Sequence, residues 1–142
     1  MNRLGKCLFS FILIIALVPL PAFSASVPAV KPGKGLVVFY RPKLAKGGAI
    51  RFEIVDIANG PIGQLKNGTT IYKDLAPGSY TFKTRAPSVN GEDTTVVNVE
   101  AGKTYYVKGE IIVGWPTWRP KFNRVDEAQA KADLAKMQSG EN

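Results

Sequence analysis

Short β-prone segments separated by turn-forming residues run through most of this chain, and this rhythm constrains the fold more than any other feature. The segments are rich in β-branched and aromatic residues. Between them lie Asn-Gly, Pro-Gly and Gly-Gly pairs, which tolerate positive φ or preset a turn. We predict seven strands: Leu36–Arg41, Ile50–Ile57, Ile62–Leu65, Thr69–Leu75, Ser79–Arg85, Thr94–Glu100 and Thr104–Val113. This pattern is typical of a mainly β protein, an immunoglobulin-like or transthyretin-like antiparallel β-sandwich.

Alternation within these segments indicates which side chains form the core. Large side chains repeat at every second position in two strands: Ile50, Phe52 and Ile54 in one, and Tyr80, Phe82 and Thr84 in the other. The longest strand is mixed, with Tyr105, Val107, Gly109, Ile111 and Val113 on one face and Tyr106, Lys108, Glu110 and Ile112 on the opposite face. We therefore expect the first two sets to be core and the longest strand to be partly covered on both faces.

The tail changes period and predicts one helix over residues 126–138. Asp126 can cap its first turn, with Gln129 three residues further on, and Gly140 is a plausible stop. The apolar stripe that we expect to dock on the sandwich is Val125, Ala128, Ala132 and Ala135, with Leu134 and Met137 beside it.

The first residues have the three zones of a secretory signal peptide. Arg3 and Lys6 form a positive start, an apolar run follows over residues 7–18, and small residues at Ala22 and Ser24 suit cleavage before Ala25. The apolar run is short for a membrane span, although an uncleaved anchor or a buried helix remains an alternative. We predict a cleaved signal over residues 1–24, a flexible leader over 25–35, one domain over 36–138 and a tail over 139–142.

Cysteine and histidine usage limits the chemistry that is open to the chain. The only cysteine, Cys7, lies upstream of the apolar run rather than at the cleavage site, so we expect no lipid anchor. The predicted location is therefore the periplasm, with secretion beyond the envelope as an alternative. The processed chain has neither His nor Cys, which removes the commonest general base, metal ligand and thiolate nucleophile. We expect no enzyme activity, no catalytic residues, no metal and no cofactor.

The charge balance is open to two interpretations: an anionic partner, or simply a soluble basic surface. Removing residues 1–24 takes away two of the 19 Lys and Arg and none of the 11 Asp and Glu, which leaves a net charge of +6. An exported basic domain meets anionic glycans, lipid head groups or acidic proteins more often than nucleic acid. We expect a binding module for an envelope protein, an anionic glycan or a lipid surface, with no nucleic acid and no transmembrane span after processing.

The segment from Gly114 to Phe122 contains the strongest candidate site. It carries Trp115, Trp118, Arg119 and Lys121, a mixture of aromatic faces and cations that suits sugars, lipid interfaces or phosphates. Tyr40 and Arg41, at the end of the first strand, are candidates for the same surface. The alternatives are that the tryptophans close one end of the sandwich, and that the protein is a structural or assembly component of a periplasmic complex that contacts partners through the C-terminal helix.

Three phrases together carry a family resemblance: Val38-Phe39-Tyr40-Arg41-Pro42, Leu75-Ala76-Pro77-Gly78-Ser79-Tyr80 and Ala101-Gly102-Lys103-Thr104-Tyr105-Tyr106-Val107. In this order they resemble the domain-of-unknown-function 2846 family of small exported or lipid-anchored bacterial envelope proteins. The resemblance spans roughly residues 35–137, including the closing helix. It implies a sandwich and an envelope location, and it implies no catalytic residues because the family's activity is unknown. Many members look like lipoproteins, and this chain departs from them in having no cysteine at its cleavage site.

Overall fold

The computed structural model describes residues 26–87, 91–114 and 117–140, so the predicted signal peptide lies outside the described residues. Within these ranges the chain forms eight strands and one helix: β1 Gly35–Tyr40, β2 Phe52–Asp56, β3 Gly60–Leu65, β4 Thr70–Leu75, β5 Gly78–Arg85, β6 Thr94–Val99, β7 Thr104–Val113, β8 Trp118–Val125 and α1 Glu127–Ser139. No helix in the described part of the chain is long and apolar enough to cross a membrane.

The strands form two four-stranded sheets. Sheet I has the order β4-β1-β7-β8 and sheet II has the order β3-β2-β5-β6. Every neighbouring pair is antiparallel except β1 and β7, which run parallel at the centre of sheet I. The predicted mainly β sandwich with a C-terminal helix is therefore confirmed, and seven of the strands lie where the turn chemistry placed them.

The eighth strand corrects the prediction of an exposed loop over residues 114–122. Strand β8 pairs with β7 from Trp118 opposite Val113 to Val125 opposite Tyr106. Its inward side chains include Pro120 and Phe122, which are buried, while the intervening Lys121 is exposed. A proline within a strand is tolerated at a sheet edge, where its missing N–H costs no ladder hydrogen bond. Two prolines nearby had hidden this alternation in the sequence.

The main core lies between the two sheets and is organised around phenylalanines. The Phe39 ring meets the Phe82 ring edge-on at 5.0 Å between centroids, and Phe52 meets Phe122 at 6.1 Å. Ile54, Phe82 and the Thr84 side chain are buried as alternation predicted. Gly109 on β7 has no side chain, and this leaves room for Phe52 and Leu65 of sheet II to pack directly against the β7 backbone.

A second core lies on the outer face of sheet I, beneath α1. Because β1 is covered on both faces, Leu36, Val38 and Tyr40 point away from the main core and pack against Tyr106, Ala130 and Leu134. From the segment predicted as a leader, Val27 and Val30 pack against this same cluster. Both faces of the longest strand, β7, are thus used.

Only part of the expected apolar stripe faces the sheet: Val125, Leu134 and Met137 pack against the second core, whereas the three alanines do not. Its buried residues are Ala130 and Leu134, with Met137 partly buried, whereas Ala128, Ala132 and Ala135 are exposed. Turning this face inward buries the larger Leu134 and brings Asp133 to polar partners on the sheet, which a stripe of alanines cannot do. The cap is as predicted: Asp126 accepts a 2.8 Å hydrogen bond from the Gln129 amide, and Gly140 ends the helix at a φ of 74°.

Candidate functional site

Four connections meet at one end of the sandwich. The strand registers place the connections β1–β2, β3–β4, β5–β6 and β7–β8 there, because Tyr40 lies opposite Thr70, Phe52 opposite Leu65, and Val113 opposite Trp118. The other connections and the segment before β1 lie at the opposite end. We refer to the described residues 41–51, 66–69, 91–93, 113–114 and 117–119 as the cationic end, for reasons given below.

Arg41 holds the longest loop of this end from inside. Its side chain is 1% exposed, and it donates hydrogen bonds to the carbonyl of Ile50 at 2.5 Å and to the carbonyl of Gly47 at 2.7 Å. The guanidinium lies 5.7 Å from the centre of the Phe52 ring. Within the described residues its Nε has no hydrogen-bond partner, and burial lowers the pKa of Arg41. Arg41 therefore orders residues 42–51 rather than presenting its charge at the surface.

Asn67 fastens the same loop from the neighbouring turn. Its side-chain oxygen accepts from the Leu44 amide and its side-chain nitrogen donates to the Leu44 carbonyl, both at 2.9 Å. This pair of bonds fixes the backbone at the exposed tip of the loop. Lys43 and Leu44 are thus presented by a segment that is tied at two places.

Trp118, on the edge strand β8 of sheet I, packs against this loop. A Cβ added to Gly47, which has a φ of 76°, would lie only 3.1 Å from Cζ3 of Trp118. The indole is half-buried against the loop and remains 36% exposed. The structure thus brings the predicted site residues Arg41 and Trp118 together around Gly47, whereas Trp115 lies outside the described residues.

Arg119 and Lys121 lie on the other face of β8 and are exposed. Arg119 is opposite Ile112 and Lys121 is opposite Glu110 in the ladder with β7. Arg119 also borders the β5–β6 connection, since a Cβ on Gly91 would lie 3.6 Å from its own Cβ. Arg119 therefore belongs to the rim of the cationic end, and Lys121 lies one step further along the strand.

Tyr40 lies apart from these residues. It is fully buried under α1, where its hydroxyl donates a 2.8 Å hydrogen bond to Asp133. Lys108 pairs with Asp133 at 3.3 Å and with Glu110 at 3.1 Å, and Gln129 donates to Asp133 at 2.8 Å. Burial, then the hydrogen bond and charge of Asp133, raise the pKa of Tyr40. Burial disfavours the charged form of Lys108, but the two carboxylates outweigh it and raise its pKa.

The exposed cations of the cationic end outnumber its two acids, Glu92 and Asp93. Its five exposed cations are Lys43, Lys46, Arg51, Lys66 and Arg119, and within the described part of the chain none forms an ion pair. The acids nearby are engaged: Glu92 pairs with Lys83 at 3.4 Å, and Asp93 accepts from the Phe122 amide at 2.7 Å. At the opposite end, by contrast, Lys31 pairs with Asp74 and Lys103 with Glu100.

Exposed apolar side chains stand among these cations. Of the six large hydrophobic residues that are exposed within the described ranges, Leu44, Val113 and Trp118 lie at this end. Sequence reasoning found Trp118 and Arg119 but missed Leu44, Val113 and the four cations at positions 43, 46, 51 and 66. The signal in the sequence was the basic stretch between the first two strands, which lacks any acid from residue 42 to residue 51.

The buried acid Asp56 serves the fold. Asp56, which is buried, accepts from the amides of Ala58 and Asn59 and from the Asn59 side chain, and so closes the β2–β3 turn. In the ranges that the structure covers, no three acidic, His or Cys side chains gather in a group that could hold a metal ion.

The fold defines this protein as a small β-sandwich domain with a helix packed on one sheet. The chain belongs to the DUF2846 family, described as a protein of unknown function, whose model matches residues 31–119. That match covers β1 to β7 and the first two residues of β8, so most of β8 and all of α1 lie beyond it, although the sequence resemblance was expected to extend to residue 137. Searches of curated proteins and of solved structures gave no match.

Proposed function

We propose that this protein is a non-enzymatic binding module of the bacterial cell envelope that attaches to an anionic partner through the cationic end. The observation that carries the proposal is the group of five exposed cations that form no ion pair with any residue the structure describes. We further propose that the module works in the periplasm after removal of a signal peptide, without a lipid anchor.

Concentration of the charge at one end favours this proposal over a merely soluble basic surface. Charges within about 8 Å of one another act together at physiological ionic strength, whereas a scattered set is screened. Cations that are paired with acids, as Lys31 and Lys103 are at the opposite end, create less outward field. An anionic surface therefore attracts the protein in one preferred orientation.

Rigidity of the loop is a second support. Arg41 and Asn67 hold the backbone of residues 44–50 through four hydrogen bonds. A surface that is ordered before it binds loses less conformational entropy on binding. The two residues thus serve binding by positioning Lys43 and Lys46 rather than by contact.

Elution from a phosphate-bearing cation-exchange resin tests the proposal. Lys43→Glu combined with Lys46→Glu should lower the salt concentration at which the protein elutes. Lys34→Glu combined with Lys73→Glu is the matched control, because these cations are exposed but lie away from the cationic end and the change in net charge is identical. An equal shift for both pairs would show that only net charge matters and would contradict the proposal.

The alternative of an assembly component that binds through α1 has less support. Ala130, Leu134 and Asp133 of the helix already contact sheet I of the same domain. Its outward face offers Ala128, Ala132 and Ala135, which are small side chains with little area to bury. We therefore assign α1 primarily to the fold.

A further inference from the structure

We infer that the partner of the cationic end is the surface of an anionic phospholipid bilayer, into whose interface Leu44, Val113 and Trp118 enter. This inference rests on the proposed function and names its ligand. It uses the apolar side chains, which the charge argument leaves unexplained.

The three apolar side chains belong to the six large hydrophobic residues that are exposed in the described ranges. Leu44 is 46% exposed, Val113 49% and Trp118 36%. A soluble surface tolerates single residues of this kind, but a group at one end marks an interaction site. These three belong to one surface because Val113 and Trp118 are direct cross-strand partners and Trp118 lies against the loop that carries Leu44.

Cations lie next to this apolar group. Lys43 precedes Leu44 in the chain, and Lys66 lies in the turn whose Asn67 holds Leu44. Arg119 follows Trp118 in the chain and extends from the other face of β8. Such an arrangement matches the layers of an anionic membrane surface, where phosphates lie outside and acyl chains lie a few ångströms deeper. Tryptophan favours this boundary because its ring is largely apolar and its N–H is polar.

An anionic glycan fits the same end less well. Phosphate or carboxylate groups on a glycan satisfy the cations, and Trp118 can stack on a sugar ring. Leu44 and Val113, however, gain less from a hydrated polymer than from acyl chains, because aliphatic side chains are stabilised by leaving water. The bilayer is the partner that uses both the charges and the aliphatic side chains.

Vesicle sedimentation tests the inference with the exported protein, purified without its signal segment. The probes are vesicles of equal parts phosphatidylglycerol and phosphatidylcholine, and vesicles of phosphatidylcholine alone. We expect binding to the mixed vesicles only, and a loss of about tenfold or more in partitioning for the Lys43→Glu, Lys46→Glu variant. Leu44→Ser should also weaken binding, by roughly three- to tenfold, while Ile57→Ser, at the opposite end and 57% exposed, should not.

Depth of insertion provides a second readout. Tryptophan fluorescence should be quenched by brominated acyl chains in the mixed vesicles, and Leu44→Ser should reduce this quenching at equal bound protein. Thermal melting of each variant verifies that it is folded.

The outcomes separate this inference from the proposed function. If the protein binds the phosphate resin through the cationic end but does not prefer the mixed vesicles, the bilayer is wrong and the anionic-partner proposal stands. If Leu44→Ser binds mixed vesicles like the unchanged protein, insertion is wrong. If Lys43→Glu, Lys46→Glu behaves like its control on the resin, the proposed function itself fails.

Discussion

The hydroxyl of Tyr40 on β1 donates a 2.8 Å hydrogen bond to the carboxylate of Asp133 on α1. This bond links the central strand of sheet I to the helix across the second core. We expect Tyr40→Phe and Asp133→Asn each to lower the free energy of unfolding by about 1–3 kcal/mol, since the acceptor is charged and both partners are largely buried. Urea unfolding of the two variants and of the double variant measures the coupling between them. Tyr72→Phe, at an exposed tyrosine, is the matched control, and additive effects of the pair would contradict the link.

Alkaline pH should destabilise the protein through the same pair. In the unfolded chain tyrosine loses its proton near pH 10, whereas folded Tyr40, with its raised pKa, retains it. The resulting stability is fully present below about pH 10 and is lost as the pH rises beyond that value. Lys108, whose pKa is also raised, adds to the loss in the same direction. Urea midpoints measured from pH 8 to pH 11 should therefore fall, and less steeply for Tyr40→Phe. Identical slopes would contradict the assignment.

Replacing Arg41 should loosen the loop of the cationic end. Arg41→Met removes both hydrogen bonds to the Ile50 and Gly47 carbonyls and leaves these carbonyls without their donor. We expect a loss of about 2–3 kcal/mol in unfolding free energy and faster amide exchange over residues 42–50. Arg41→Lys should recover only part of this loss, because an ammonium lacks the planar fork. Arg51→Met, at an exposed arginine, is the control, and a similar effect there would rule out the clamp.

The close approach of the sheets above β7 can be tested at Gly109. A Cβ at this position would lie 2.6 Å from Cζ of Phe52 and 2.7 Å from Cδ2 of Leu65. We therefore expect Gly109→Ala to cost about 1–3 kcal/mol of unfolding free energy through overpacking. Adding Leu65→Ala should cost less in this background than in the unchanged protein. Strictly additive losses in denaturant titrations would show that the two sites do not meet.

Truncation before Asp126 distinguishes a structural helix from a docking helix. Removal of α1 uncovers Leu36, Val38 and Tyr40, so we expect a molecule that unfolds at much lower temperature or fails to fold. A chain that stops at Gly140 keeps the helix with its caps and is the control. A stable truncated sandwich would instead revive the assembly role of α1.

Local sequence patterns were sufficient to predict most of the strands of the fold. Turn residues and two-residue alternation located β1 to β7 to within two residues, because each strand has one clear polar boundary at each end. Strand β8 was missed because Trp118 and Pro120 suggest a loop unless the pairing with β7 is known. The expected stripe on α1 was right for Leu134 and Met137 but wrong for the three alanines, because alanine side chains contribute less packing energy than Leu134 and because Asp133 finds its partners only in three dimensions.

The candidate site depended more strongly on tertiary structure. Trp118 and Arg119 were visible as an aromatic and basic cluster. The hydrogen bond between Asn67 and Leu44, by contrast, joins residues 23 positions apart, and no local sequence pattern predicts it. Tyr40 and Arg41 are neighbours in sequence yet face opposite sides of sheet I, so only one of them could serve the cationic end. Strand periodicity does predict that separation, since successive side chains point to opposite faces.

The parallel pairing of β1 and β7 has a consequence for how the protein reaches its native state. The pair joins residues such as Leu36 and Thr104, and the whole of sheet II lies between them in the chain. When synthesis or transport delivers the amino-terminal part first, β1 emerges long before its central partner. It is buried on both faces, so its edge that faces β7 invites association with other chains during this delay. Closure of the molecule is therefore a late, long-range event, and a helper that shields residues 35–40 should raise the yield of refolding.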